Sequence, residues 1–297
     1  MPSVADWLSS VGSRRRNACE EAASLITSNY RQKWSNLKPV ELNRLAASLN
    51  VQLRELPELE GGARLAPTPG GFLLLFSEDS RQNDYAQFRI SVSHELAHTL
   101  FFERKGSEGI PQRLLNPSEE EERFCFEVAR RILAPRWILS NLGLLRERDA
   151  SVIFKALTKT LGLSWSVAAR LMVEDYPLVL AVAGRWRKIR NRWQVVSGEF
   201  FSTPELPEET LLGLTRAVGA WLERESTVGF NCNIAARFSN GRRSAFVIAQ
   251  IPSAPPQELT QTDAFWQANL KRWPNNTQAN SDRPLELAAE RDRVGSR

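Results

Sequence analysis

A chain of 297 residues, 42% hydrophobic and 25% charged, can bury its core as one large or two modest domains without disulfide staples, and it is not collagen-like, coiled-coil or wholly disordered. Its longest apolar runs, Phe72 to Phe76 and Leu178 to Gly184, fall far short of the roughly 20 residues of a membrane-spanning helix, and residues 1–11 lack the basic and apolar regions of an export signal, so neither membrane residence nor export is expected. Three separated cysteines, Cys19, Cys125 and Cys232, suit a reducing cytoplasm better than a disulfide framework, and the net charge of +5 favours acidic partners only weakly.

In chain order, a helix is predicted around Cys19 to Tyr30 and another from Pro39, where Leu42, Leu45, Ala46, Leu49 and Val51 recur at near-helical spacing. Gly61 and Gly62 break that pattern, and Phe72 to Phe76, bounded by Gly70–Gly71 and Ser77–Ser80, reads as a buried strand. Asp84 with Gln87 forms a capping box that opens a helix carrying Phe88 through Phe102. After a loop with Gly106, Gly109, Pro111 and Pro117, Ser118 with Glu121 opens a further helix that stops before Pro135. Ala150 to Thr160 and Ser164 to Asp175 read as two short helices joined at Leu161–Gly162–Leu163, which is helix-turn-helix grammar. Beyond Pro177 the pattern turns to strands at Leu178 to Ala183, Trp193 to Val196, Val228 to Phe238 and Ala245 to Ile251, with an amphipathic helix at Glu208 to Glu223 and a hairpin turn at Asn240–Gly241, giving β-β-α-β-β. From Ser253 onward the composition is that of a mobile tail.

The chain has only two histidines, and both fall in Ser93-His94-Glu95-Leu96-Ala97-His98, an HExxH pattern that random placement would produce roughly once in a thousand or two arrangements. Imidazoles at i and i+4 project from one face of a helix and can grip one metal ion, while the intervening Glu95 can reach water held there. Phe88, Val92, Leu96 and Leu100 make one apolar stripe, with Ile90, Ala97 and Phe101 on nearly the opposite side, so the helix is expected to be buried and its polar residues to need a metal or a hydrogen-bond network.

A hydrolytic site takes three protein ligands and keeps a position for water, and no third histidine exists. The remaining donors are Glu119 to Glu122 and Cys125. Acids in a first helical turn favour the macrodipole, and Glu121 completes the box with Ser118. Glu122 shares a line with Cys125, Ala129 and Ile132 and is expected to point inward. Glu121, in line with Phe124 and Val128, is the second choice, and Cys125 reads better as a small buried side chain.

The run Phe88-Arg89-Ile90-Ser91-Val92-Ser93-His94-Glu95-Leu96-Ala97-His98, followed by Glu122, Cys125, Val128, Ala129, Ile132, Leu133 and Pro135, resembles the ImmA/IrrE metallopeptidases, whose second helix reads approximately E-x-x-A-N-x-F-A-x-x-L-L-x-P. Anchored on Pro135, Glu122 falls on that family's acidic ligand, while Cys125, Phe126 and Val128 replace its Ala, Asn and Phe. The resemblance spans roughly residues 35–175. It implies a cytoplasmic zinc-dependent endopeptidase that cleaves a helix-turn-helix repressor and so releases a stress or mobile-element response. His94, His98 and Glu122 would hold the metal, and Glu95 would move the proton from water to the leaving amine. Zinc suits two imidazoles and one carboxylate, with manganese and iron as alternatives. Tyr85 and Arg89 are the candidates for oxyanion or substrate contact, against a plainer reading as a capping-turn tyrosine and a solvent-facing arginine.

The expected architecture is α+β: a zincin-like metallopeptidase domain over 1–140, mainly helical with a small sheet, a helix-turn-helix-like segment over 141–176, a small α/β domain over 177–252, GAF-like as in some family members, and the tail over 253–297. Ser164 to Val173 could serve as a DNA-recognition helix, but a hairpin packed on the catalytic domain is the better reading. Arg185, Arg187, Lys188, Arg190 and Arg192, interleaved with Trp186 and Trp193, form a cluster that suits either phosphate contact or a solvated hairpin turn. The alternative function is a metal-binding transcriptional regulator that binds DNA with little proteolysis.

Overall fold

A computed structural model describes residues 4–36, 39–57, 59, 62–103, 108–176, 180–189, 192–203, 206–223, 232–239 and 243–251. The predicted tail and the Asn240–Gly241 turn lie outside the described residues.

Three helices, α1 (Val4–Leu8), α2 (Gly12–Trp34) and α3 (Leu42–Ser48), lead into a small sheet of β1 (Val51–Leu56), β2 (Ala63–Thr68) and β3 (Gly71–Ser77). The order is β1-β3-β2, with β1 parallel and β2 antiparallel to β3. The continuous apolar run of β3 makes it the central strand, and Pro67 is tolerated because β2 is an edge. The helix expected to reach Val51 ends at Ser48, and Val51 opens β1 after Asn50 takes a left-handed turn at φ 53°. At Gly71 a Cβ would overlap the Asn50 carbonyl oxygen, which accepts from the Phe72 N–H at 3.1 Å.

A short helix α4 (Glu78–Asn83) precedes α5 (Tyr85–His98), the HExxH helix, whose Asp84 cap accepts from the Gln87 N–H at 2.9 Å. A turn of 3-10 helix, Thr99–Phe101, then leads to the two-residue hairpin β4 (Phe102–Glu103) and β5 (Gln112–Arg113). Next come α6 (Glu119–Leu133) and α7 (Arg136–Asn141). Being apolar on both sides, α5 is buried between β2 and α6, with Val92, Leu96, Ala97 and Phe101 sealed in the main core.

The predicted helix pair forms. One member is α8 (Ala150–Lys155) and the other α9 (Trp165–Arg170), each running on into a π-helical turn, Ala156–Thr160 and Leu171–Asp175. The β-β-α-β-β order follows as β6 (Ala181–Ile189), β7 (Arg192–Ser202), α10 (Glu208–Glu223), β8 (Asn233–Ser239) and β9 (Ser244–Gln250), in an antiparallel sheet ordered β7-β6-β9-β8. One face of it buries Val182, Trp186, Val247 and Ala249 beneath Leu214, Val218 and Leu222 of α10. The other face places Ala181, Ala183, Phe201, Phe246 and Ile248 in the same core as α5 and α6. Phe246 stacks on Phe154 at 5.4 Å and meets the edge of Trp165 at 5.6 Å, so apolar packing passes through the helix pair without a break at residue 176. A buried ion cluster fastens the end of this pair to α6: Asp175 accepts from Arg130 Nε at 2.5 Å and Nη2 at 2.8 Å, and pairs with Arg131 Nη1 at 3.2 Å.

Candidate metal centre

His94 and His98 lie one turn apart on α5 with their Nε2 atoms 3.1 Å from each other. The Glu122 carboxylate closes the triangle, Oε2 at 3.0 Å from His94 Nε2 and Oε1 at 3.4 Å from His98 Nε2. Three side chains that can each offer a lone pair thus converge on one point. Hydrogen bonds among them can satisfy only part of that arrangement, whereas one cation satisfies all three. The donor set fits a divalent metal, zinc first. Burial and then the neighbouring His98 pull the His94 imidazole down to about 4, with Glu122 opposing, so it is neutral and free to donate its lone pair at pH 7. The His94 ring also lies against Phe126, 3.9 Å between centroids, on the residue that stands where the resembled family has Asn.

Glu122 reaches the centre from a different direction than expected. Its side chain is 54% exposed, so it arrives from the rim of the site rather than from the interior. The buried acid is Glu121, 1% exposed, whose Oε1 lies 2.7 Å from His98 Nδ1. The Ser118 hydroxyl caps the Glu121 N–H at 3.2 Å as predicted, but the Glu121 carboxylate does not complete the box; it turns inward to His98 and to Arg113 on β5. Cys125 Sγ sits 3.5 Å from His98 Nδ1, and burial, followed by Glu121, pushes the thiol far above its usual range, which keeps it a protonated packing group.

Glu95 stands beside the histidines, a carboxylate oxygen within 4.8 Å of their ligand atoms. It is half-buried, its Oε2 accepts the Leu65 N–H of edge strand β2 at 2.8 Å, and burial raises its carboxyl above the ordinary range against the pull of that bond. A carboxylate poised to take a proton, held by a backbone donor next to three ligand atoms, is the arrangement a general base requires.

Neither oxyanion candidate reaches the centre. Tyr85, 58% exposed, is the first residue of α5, roughly 13 Å along the axis from His94 at 1.5 Å per residue, and stacks on Phe88. Arg89, expected to face solvent, is 1% exposed: its guanidinium donates to the Leu161 carbonyl and, at 3.2 Å, to that of Val40. The Gly162 turn, at φ +65°, leaves room for it, since a Cβ there would come within 3.0 Å of Arg89 Nη1. Arg89 therefore ties α5 to the turn of the helix pair.

The nucleic-acid candidates lie in two places, the second helix of the pair and the β6–β7 hairpin. From Leu161 to Tyr176 every residue is buried or half-buried, and the one cation of the second helix, Arg170, lies over the Phe201 ring at 4.6 Å and pairs with Glu174 at 3.9 Å. Arg185 pairs with Glu199 at 2.9 Å. Arg187, Lys188 and Arg192 are exposed, with Arg187 and Lys188 on opposite faces of β6, and Arg190 lies outside the described residues.

No protein-family model matches the chain and no curated protein matches it. Among solved structures, it is similar to a Mycobacterium tuberculosis transcriptional regulator at 12% identity and a TM-score of 0.42, over 79% of this chain and 88% of that one.

Proposed function

We propose that the chain is a metal-dependent endopeptidase of the ImmA/IrrE kind, acting on a helix-turn-helix repressor protein. What supports this reading is one observation: His94 Nε2 and His98 Nε2 lie 3.1 Å apart, each within 3.4 Å of one oxygen of the Glu122 carboxylate, with a Glu95 carboxylate oxygen within 4.8 Å of the histidine ligand atoms. A purely structural metal site has no use for that second acid. His94, His98 and Glu122 hold the ion, and zinc, when bound, supplies Lewis acidity to a scissile carbonyl and acidifies water. Glu95 takes the proton of the attacking water and passes it to the leaving amine, and the Leu65 N–H keeps its carboxylate oriented meanwhile. Cys19, Cys125 and Cys232 are all free, which agrees with a cytoplasmic setting, and no helix among the described residues is long and apolar enough to cross a membrane.

The experiment is Glu95→Gln in the full chain, loaded with zinc and incubated with a helix-turn-helix protein encoded beside it. Metal content and the circular dichroism spectrum stay as in the wild type while cleavage falls by about 100- to 10,000-fold. Cells whose transcriptional response is intact with Glu95→Gln would instead assign the metal to a regulator that acts without proteolysis.

A further inference from the structure

The two nitrogens of His98 have different partners. Nε2 faces His94 Nε2 and Glu122, and Nδ1 faces Glu121 Oε1 at 2.7 Å. Glu121 is almost completely buried, a position that is costly for a carboxylate unless its charge is met. Arg113 meets it: Nη2 lies 2.6 Å from both carboxylate oxygens. Arg113 is itself restrained, since its Nε donates to the Leu115 carbonyl at 3.1 Å and its guanidinium lies over the ring of Phe102, its partner across the β4–β5 hairpin, at 5.2 Å.

His98, Glu121 and Cys125 are all buried with ligand atoms within 4.8 Å of one another, a grouping that could be taken for a second cation site. Arg113 decides against it. The charge of Glu121 is already matched, and a divalent ion there would be set directly against the guanidinium. The grouping serves the first site instead.

We infer that Glu121, clamped by Arg113, is a positioning residue of the metal centre: it accepts the Nδ1–H of His98 and so fixes the tautomer whose Nε2 lone pair faces His94 and Glu122. The inference rests on the reading of this site as a metal centre. An acceptor behind a ligating imidazole fixes its ring and raises its basicity, and losing one typically lowers metal affinity about 10- to 100-fold. Arg113 has no contact with the ligand atoms and acts through Glu121.

The chain has only two histidines, so the imidazole nitrogens of the full-length protein give a simple 15N spectrum in which the protonated nitrogen of each ring can be assigned. In the metal-free wild type His98 carries its proton on Nδ1, and in Glu121→Ala that preference is lost. In parallel, zinc affinity measured against a chromophoric chelator falls about 10- to 100-fold in Glu121→Ala and less in Glu121→Gln, which keeps an acceptor. Adding Arg113→Ala to Glu121→Ala changes nothing further, whereas Arg113→Ala alone weakens zinc. A folded Glu121→Ala with an unchanged tautomer and unchanged affinity overturns the inference. Should Glu121→Ala not fold, Glu121→Gln and Arg113→Ala carry the same comparison, and wild-type affinity in both overturns it. If the wild type binds no zinc, the metal-centre reading falls, while the tautomer measurement still decides the role of Glu121 because it needs no metal.

Discussion

Replacing Asp175 by Asn tests how tightly the helix pair is bound to α6. Asp175 is buried and receives two bonds from Arg130, at 2.5 and 2.8 Å, and one ion contact from Arg131 at 3.2 Å, and both arginines are themselves buried. Asparagine keeps the shape but offers one oxygen where there were two, sets an amide N–H₂ against a guanidinium, and removes the only negative charge those contacts supply. Breaking a buried pair from one side typically costs about 3–5 kcal/mol, because the remaining charge is stranded away from water. For a chain of this size that corresponds to a fall in melting temperature of roughly 6–20 °C, followed by circular dichroism at neutral pH. The pH dependence gives a second check. Burial alone would raise the Asp175 carboxyl, but Arg130 and Arg131 overcome it and hold the group below its ordinary 3.8. The native state then binds fewer protons than the unfolded state near that value. Its contribution is therefore complete above pH 3.8 and disappears as pH falls through the lower native value, and the gap between wild type and Asp175→Asn should close on the acid side. A variant that melts within about 2 °C of the wild type at pH 7 would show that the cluster does not hold the two parts together.

His94→Ala and His98→Ala should each abolish stoichiometric zinc binding, measured by metal analysis after dialysis, and Glu122→Ala should weaken it more than Glu121→Ala does, since Glu122 is the proposed ligand and Glu121 is one bond removed; full zinc retention in His94→Ala/His98→Ala would refute the site. Arg89→Ala leaves the Leu161 and Val40 carbonyls without their donor, at about 1–3 kcal/mol each, so the melting temperature drops while the proposed peptidase activity, assayed well below it, should be retained. A selective loss of turnover with unchanged stability would return Arg89 to the catalytic machinery.

The parts of the site legible in the sequence are the local ones. His94, Glu95 and His98 need only helical periodicity to be placed together, and the β-branched and alternating runs after Pro177 are enough to order β6, β7, α10, β8 and β9. Helical spacing points to Glu122 as the inward acid, yet Glu121 is the buried one and Glu122 is 54% exposed, because neighbouring positions on a helix differ by about 100° and both lie at the border of the apolar face. The deciding partner is Arg113, contributed by a two-residue strand too short to carry any periodic signal. Arg89 shows the same limit: flanked by Phe88 and Ile90 it is buried because a turn 73 residues later, at Gly162, leaves a carbonyl for it to bond. β1 and β2 escaped notice for local reasons, Val51 continuing the spacing of the preceding helix and Pro67 arguing against a strand that survives because it is an edge.

The sheet of β6 to β9 is covered on both sides, by α10 on one and by Phe154, Trp165 and the rest of the helix pair on the other. A chain cut after residue 176 would leave those aromatics facing water, and a chain begun there would bare Phe201, Phe246 and Ile248. Both fragments would be sticky. The molecule therefore unfolds cooperatively across this layer, and a protease probing the native state should find no productive nick between α9 and β6 that releases two soluble pieces.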